Sequence, residues 1–136
     1  RRNKTVALLE AYGHFYRGEF REAAILLSRL DSRHPRFSLR FHSLKVRNTY
    51  EEWRHSQAPK EELVNALRSF EEFLRRNGSL FATPLRQSYR NLIWFIQKLM
   101  RYGEKRALSK KQLQAELQKR QPVAGDWVAA KIDELP

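Results

Sequence analysis

The run Arg17-Gly18-Glu19-Phe20-Arg21-Glu22-Ala23 constrains this chain more than any other stretch. One apolar-periodic segment arrives at it, from about Lys4 to Tyr16, and a second leaves it, from about Phe20 to Ser32. Between them Gly18 supplies the backbone angles that a tight corner between helices needs. Ala23 follows the corner as a small residue where two helix axes can cross closely. The second helix must stop before His34-Pro35, because a residue preceding proline avoids the helical region. Two helices joined by so short a turn form a helical hairpin.

The rest of the chain reads as helix too. A third helix is expected over Arg36 to His55. Phe37, Phe41 and Leu44 fall on one side of it, and Leu39, Val46, Tyr50 and Trp53 on nearly the opposite side. A helix with two apolar sides is sandwiched between neighbours. Pro59 suits the first turn of a fourth helix, which carries the stripe Leu63, Ala66, Leu67, Phe70 and Leu74 and ends at Asn77-Gly78. The fifth runs from about Pro84 to Tyr102 with a broad face from Leu85 through Leu92 and Ile96 to Met100, and stops at Gly103. Ser109-Lys110-Lys111-Gln112 spells a capping box that opens a short polar sixth helix. Asp126 reads as the cap of a last one carrying Trp127, Val128, Ile132 and Leu135. No strand-like alternation persists. The expectation is an all-α chain of about seven helices, a single domain over 1–136 whose thinnest seam lies at Tyr102 to Ser109. A chain of 136 residues can bury a core without disulfide or metal staples.

Over residues 7–35 the chain resembles the tetratricopeptide repeat. Gly18, Phe20, Ala23, Leu27, Leu30 and Pro35 fall at that family's spacings for the turn glycine, turn aromatic, small packing residue, second-helix apolar positions and closing proline. His14 stands where the family has a first-helix aromatic, and Ala7 at its early tryptophan-like position. A step of about 34 residues, the family's period, keeps Phe41 and Leu44 as packing positions. The glycine and alanine do not recur near Ala58 to Leu63. The resemblance therefore implies antiparallel helical hairpins: the best-matched one over 1–35, a degenerate hairpin plus a long helix over 36–103, and helices folding back as a cap over 104–136. Such arrays need about three repeats or caps, so the later helices cap this hairpin, or the segment belongs to a longer array.

The resemblance also implies a groove, lined by first helices, that holds an extended peptide. One subgroup grips a peptide's terminal carboxylate with Lys and Asn one turn apart. Here those positions hold Leu8 and Tyr12, so that clamp is not expected. Leu8, Tyr12 and Tyr16 form an apolar, aromatic groove for a hydrophobic peptide or helix, or else Leu8 and Tyr12 are core residues covered by a helix preceding this segment.

The net charge is +12, from 27 Lys and Arg against 15 Asp and Glu, a field that attracts nucleic acid, anionic membrane or acidic protein. From Ser32 to Tyr50 there is no acid, but there are Arg33, Arg36, Arg40, Lys45 and Arg47. Arg36, Arg40 and Arg47 fall within about 40° of one another on the third helix. From Phe73 to Gly103 there is again no acid, with Arg75, Arg76, Arg86, Arg90, Lys98 and Arg101. Such arginines can grip phosphates, yet no nucleic-acid motif accompanies them. Trp94 lies on the polar face of the fifth helix among Arg90, Lys98 and Arg101. It can stack on a base, anchor an interface, or pack under the helices that follow, which need a surface to dock on.

Nothing points to catalysis. The four histidines pair with no other ligand at metal spacing on one helical face. Glu51-Glu52, Glu61-Glu62 and Glu71-Glu72 are neighbours that point about 100° apart and cannot work as an acid–base dyad. There is no phosphate-cradling glycine loop and no activated-serine motif. Neither a cofactor nor a metal is expected. Cysteine is absent, which leaves the compartment undecided; the longest apolar run is far short of a membrane span and no leader is visible, so a cytoplasmic chain is the expectation because nothing points elsewhere. It opens at Arg1, so a removed leader stays open. The expected function is non-catalytic: an interaction module or scaffold taking a peptide or acidic protein segment. Its candidate contact residues are Leu8, Tyr12, Tyr16, Arg36, Arg40, Arg47, Arg90, Trp94, Lys98 and Arg101. The alternative is a basic helical domain that binds nucleic acid.

Overall fold

The structure, a computed structural model, describes residues 4–30 and 34–136. Ser32, the expected end of the second helix, and Arg33 lie outside them. The described residues form seven α-helices and no strand. They are α1 (Lys4–Tyr16), α2 (Phe20–Ser28), α3 (Pro35–Arg54), α4 (Lys60–Asn77), α5 (Thr83–Met100), α6 (Lys110–Arg120) and α7 (Gly125–Asp133). The chain gathers into two compact units, Arg1–Asn77 and Gly78–Pro136.

In the first unit consecutive helices pack as hairpins: α1 on α2, α2 on α3, and α3 on α4, with α1 also touching α3. The first corner closes as a Schellman motif. Gly18 takes φ +77°, its N–H bonds to Phe15 O at 3.0 Å, and the Glu19 N–H reaches His14 O at 2.8 Å. These bonds satisfy two of the carbonyls that a helix end leaves orphaned. The Glu19 carboxylate then locks the turn from outside. Its Oε1 lies 2.8 Å from His14 Nδ1 and accepts from Arg17 Nε at 2.8 Å. These hydrogen bonds, His14's first, hold Glu19 below the usual carboxylate range. Ala11 and Ala23 are fully buried, with Phe15 and Leu27 beside them in the core.

The second corner has the same hydrogen-bond pattern with a different residue. Ser56 takes φ +59°, Ser56 N bonds to Trp53 O at 3.1 Å, and Gln57 N to Glu52 O at 2.6 Å. It comes about one helical turn beyond the place a 34-residue step from Gly18 would reach. That extra turn belongs to α3, which is sandwiched by α1 and α2 on one hand and α4 on the other. From Ser43 to Glu52 nearly every residue of α3 is buried, polar ones included.

In the second unit α7 packs on both α5 and α6. Tyr89, Leu92, Ile93, Phe95, Ile96 and Leu99 of α5 are buried with Leu113, Val128, Ile132 and Leu135, whereas Leu85 at the start of the expected face is exposed. The expected capping box forms: Gln112 N–H donates to Ser109 Oγ at 3.1 Å and Ser109 N–H to Gln112 Oε1 at 2.8 Å. The last helix begins differently. Ala124, in the left-handed region, is its N-cap, and Asp126 sits in the first turn, where its charge still favours the positive helix end. Val123 N–H donates to Ser88 O at 3.0 Å and the Asn91 amide to Arg120 O, pinning the α6–α7 link to α5.

Candidate partner surface

Four of the expected contact residues come together between α1 and α3. Tyr12 and Tyr16 stack one turn apart with ring centres 6.2 Å from each other. Tyr16 is 71% exposed and Tyr12 is half-buried. Arg47 Nη2 donates to the Tyr12 hydroxyl at 3.4 Å, and its guanidinium lies 5.7 Å from the Tyr12 ring centre and 5.5 Å from that of Phe15. Ser43 holds the other edge, its carbonyl accepting from Arg47 Nε at 3.1 Å and its hydroxyl from Nη2 at 3.3 Å. Burial pushes the Tyr12 phenol up, and the charges of Arg47 and Arg40 pull it back, which sets Arg40 beside the cluster. Arg36 lies one turn before Arg40, and both are exposed.

Two expectations change here. Leu8 is buried, 5% exposed, and belongs to the core beside Ala7 and Ala11. Arg47 is buried, 4% exposed, so it is no member of an outward basic row. Its long side chain turns flat against two rings, where a delocalised guanidinium is favoured over an ammonium.

Some of the cations carry ion pairs. Arg17 pairs with Glu19, Arg75 and Arg76 both with Glu72, Arg101 with Glu104, and Lys119 and Arg120 with Glu116. The basic run after Phe73 is therefore partly neutralised by acids at its edges. Among the described residues no carboxylate pairs with Arg36, Arg40 or Arg47. Arg47 is thus a buried cation held only by a hydroxyl pair, a carbonyl and two ring faces, and burying a charge without a counter-charge is costly.

In the second unit Trp94 is half-buried. Arg120 of α6 covers its ring at 3.7 Å from the centre, and Lys98 Nζ lies 5.3 Å away. Arg120 is itself fixed by Glu116, its Nε donating at 2.8 Å, and this pairing lowers the Glu116 pKa. One ring face is therefore occupied from within the unit. Arg90 and Arg101 are exposed, the latter 3.5 Å from Glu104.

Sequence reasoning passed over two features. The first is the exposed side of α1, where Val6 and Leu9 are 47% and 64% exposed beside the expected Tyr16. Its signal was present, since Val6 and Leu9 sit opposite Ala7, Ala11 and Phe15 on a helical wheel. The second is an open hollow of about 370 Å³ between α2, α3 and α4, lined in part by Leu27, Lys45, Asn48, Glu52 and Glu62. Asn48 donates to Phe20 O at 2.9 Å and to Glu52 Oε1 at 3.4 Å, leaving its own buried oxygen without a hydrogen bond. Burial, and then Glu62, push Glu52 up. The charges of the hollow are of both signs.

No group of three or more His, Asp or Glu among the described residues could hold a metal ion, and no described helix is long and apolar enough to cross a membrane. Comparison with protein-family models, with curated proteins and with solved structures finds no match for this chain.

Proposed function

We propose that this chain is a non-catalytic interaction module of tetratricopeptide-like hairpins, and that its α1–α3 surface receives an acidic segment of a partner protein. The observation that carries the reading is the cluster at this surface: Arg36 and Arg40 stand exposed one turn apart on α3, beside the Tyr12–Tyr16 pair, with no carboxylate among the described residues. An incoming Asp or Glu side chain would pair with exposed Arg36 and Arg40 through charge-assisted hydrogen bonds. The Tyr12–Tyr16 pair beside them offers rigid aromatic area at little entropic cost, the composition of an interface anchor. The net charge of +12 supports a second reading, in which the same arginines meet phosphates of nucleic acid.

Selection from a displayed random-peptide library tests the reading. Recovered peptides are expected to share an Asp or Glu next to an aromatic or large apolar residue, and to lose binding to Arg40→Glu and to Tyr12→Ala. Peptides without a shared acid, or binding indifferent to both variants, would overturn it.

A further inference from the structure

The hollow between α2, α3 and α4 is lined by charges that the fold leaves unanswered. Glu52 of α3 lines it and is buried, 5% exposed. Among the described residues no cation pairs with Glu52, and its carboxylate meets only the Asn48 amide, at 3.4 Å. Burying a carboxylate without a counter-charge is costly. Glu62 of α4 lines the same hollow and makes the matter worse. Burial first and Glu62 second raise the Glu52 pKa, whereas Arg21 and Lys45 ease it only from a distance. Asn48 lines the hollow as well. It is 1% exposed, and its amide oxygen has no hydrogen-bond partner. Two carboxylates and a spare carbonyl oxygen therefore gather there as acceptors in want of a donor.

The opposite charge stands further along the same helix. Lys45 lines the hollow, half-buried, and pairs with no carboxylate among the described residues. Seven residues separate it from Glu52, about 10 Å of helical rise. Side chains on one helix pair at three or four residues, and no opposite charge stands at either spacing from Lys45 or from Glu52. The helix therefore cannot neutralise either end by itself. Leu27 and Ala66, both buried, add apolar wall from α2 and α4. The hollow holds about 370 Å³, which is within the range of small-molecule sites and far more than one ion fills.

We infer that this hollow binds a small zwitterion whose ammonium and carboxylate are held several bonds apart by an apolar chain, the class of ω-amino acids and short peptides. The ammonium meets Glu52 and Glu62, the carboxylate meets Lys45, and the methylenes lie along Leu27 and Ala66. A zwitterion with both charges on one carbon is too short to reach both ends. A simple amine or a simple acid leaves one end without its counter-charge. The inference does not rest on the acidic-partner reading, because the hollow uses neither Arg36, Arg40 nor Tyr12.

The probe is 6-aminohexanoate, titrated into the isotope-labelled full chain and followed by amide chemical shifts. Glycine, hexylamine and hexanoate serve as comparisons. Saturable shifts at residues lining the hollow are expected, with a dissociation constant in the millimolar range or tighter. Each comparison compound should bind at least about tenfold more weakly. Glu52→Gln keeps the size of the side chain and removes a buried charge, so the helices should persist by circular dichroism. It should weaken 6-aminohexanoate by about tenfold or more. Lys45→Met should do the same to 6-aminohexanoate while leaving hexylamine unaffected. Arg40→Glu should change nothing at this site. No saturable shift up to about 50 mM, hexylamine, hexanoate or glycine binding as tightly as 6-aminohexanoate, or binding indifferent to Glu52→Gln or to Lys45→Met would each overturn the inference.

Discussion

Arg47 and Tyr12 meet twice: the guanidinium donates a 3.4 Å hydrogen bond to the phenol and also lies 5.7 Å from the centre of the same ring. The pair fastens α1 to α3 inside the first unit. Truncating Arg47 to Ala removes the stacking on two rings and leaves a cavity, offset in part by relief of the buried charge, so it should cost roughly 1–2 kcal/mol in urea unfolding. Arg40→Ala, at an exposed position of the same helix, should stay within about 0.5 kcal/mol. Equal effects from the two would show that Arg47 is not seated between the rings.

The two hairpin corners predict opposite responses. Gly18→Ala forces a side chain into the left-handed region and should destabilise by about 1 kcal/mol. Ser56→Gly relieves the same strain at φ +59° and should stabilise by a few tenths to about 1 kcal/mol. Thermal unfolding of both variants reads the signs, and a loss from Ser56→Gly would contradict the assigned turn.

These corners also mark where the sequence was legible. Gly18 announced its turn because only glycine is cheap there, and Ser109 announced its capping box because Gln112 stands three residues on. Ser56 carries no such signal. Arg47 was read as outward because wheel position describes where a side chain leaves the helix, whereas a long guanidinium side chain can lie back flat on neighbouring rings. Arg40, one face with Arg47 on the wheel, did stay in solvent beside Tyr12. The cover over Trp94 was legible as a need for docking surface, but that Arg120 would supply it depended on tertiary approach alone.

His42 predicts a pH response. Its ring stacks on Phe70 at 5.3 Å and lies 5.1 Å from Phe73 and 5.3 Å from Phe41. Burial first, and Lys45 second, lower its pKa from 6.5 to about 4. The folded state therefore favours neutral imidazole, while the unfolded chain protonates near 6.5. Stability is full above that value and falls as pH drops from about 6.5 to about 4, by about 2–3 kcal/mol in all. His42→Leu should flatten this part of the profile. The paired carboxylates Glu19, Glu72 and Glu116, whose pKa values are lowered, act only further into acid. Glu52, raised by burial, acts in the opposite sense over the acid part of the window, so the test is the difference between the two chains: a profile that His42→Leu leaves unchanged would contradict the seating of His42.

With Trp53 and Trp127 changed to Phe, the fluorescence of Trp94 reports its cover directly. Emission should be intermediate and partly shielded from iodide in the intact chain. Arg120→Ala should shift it to the red and raise quenching, because the group 3.7 Å from the ring centre is gone. Emission already fully red-shifted before the substitution would mean that Arg120 does not cover the ring.

The central claim is that Arg36 and Arg40 of α3, with Tyr12, take carboxylates of a protein partner in preference to phosphates of nucleic acid. Fluorescence anisotropy with a labelled peptide of acidic and aromatic residues and with a labelled single-stranded oligonucleotide, each at low and moderate salt, tests it most directly. The account predicts that the peptide stays bound at moderate salt and that Arg40→Glu abolishes its binding. The oligonucleotide should bind weakly and lose affinity steeply, by about 0.7 in log affinity per phosphate for each tenfold rise in salt. An oligonucleotide that binds more tightly than the peptide at moderate salt, and loses that affinity in Arg40→Glu, would contradict it.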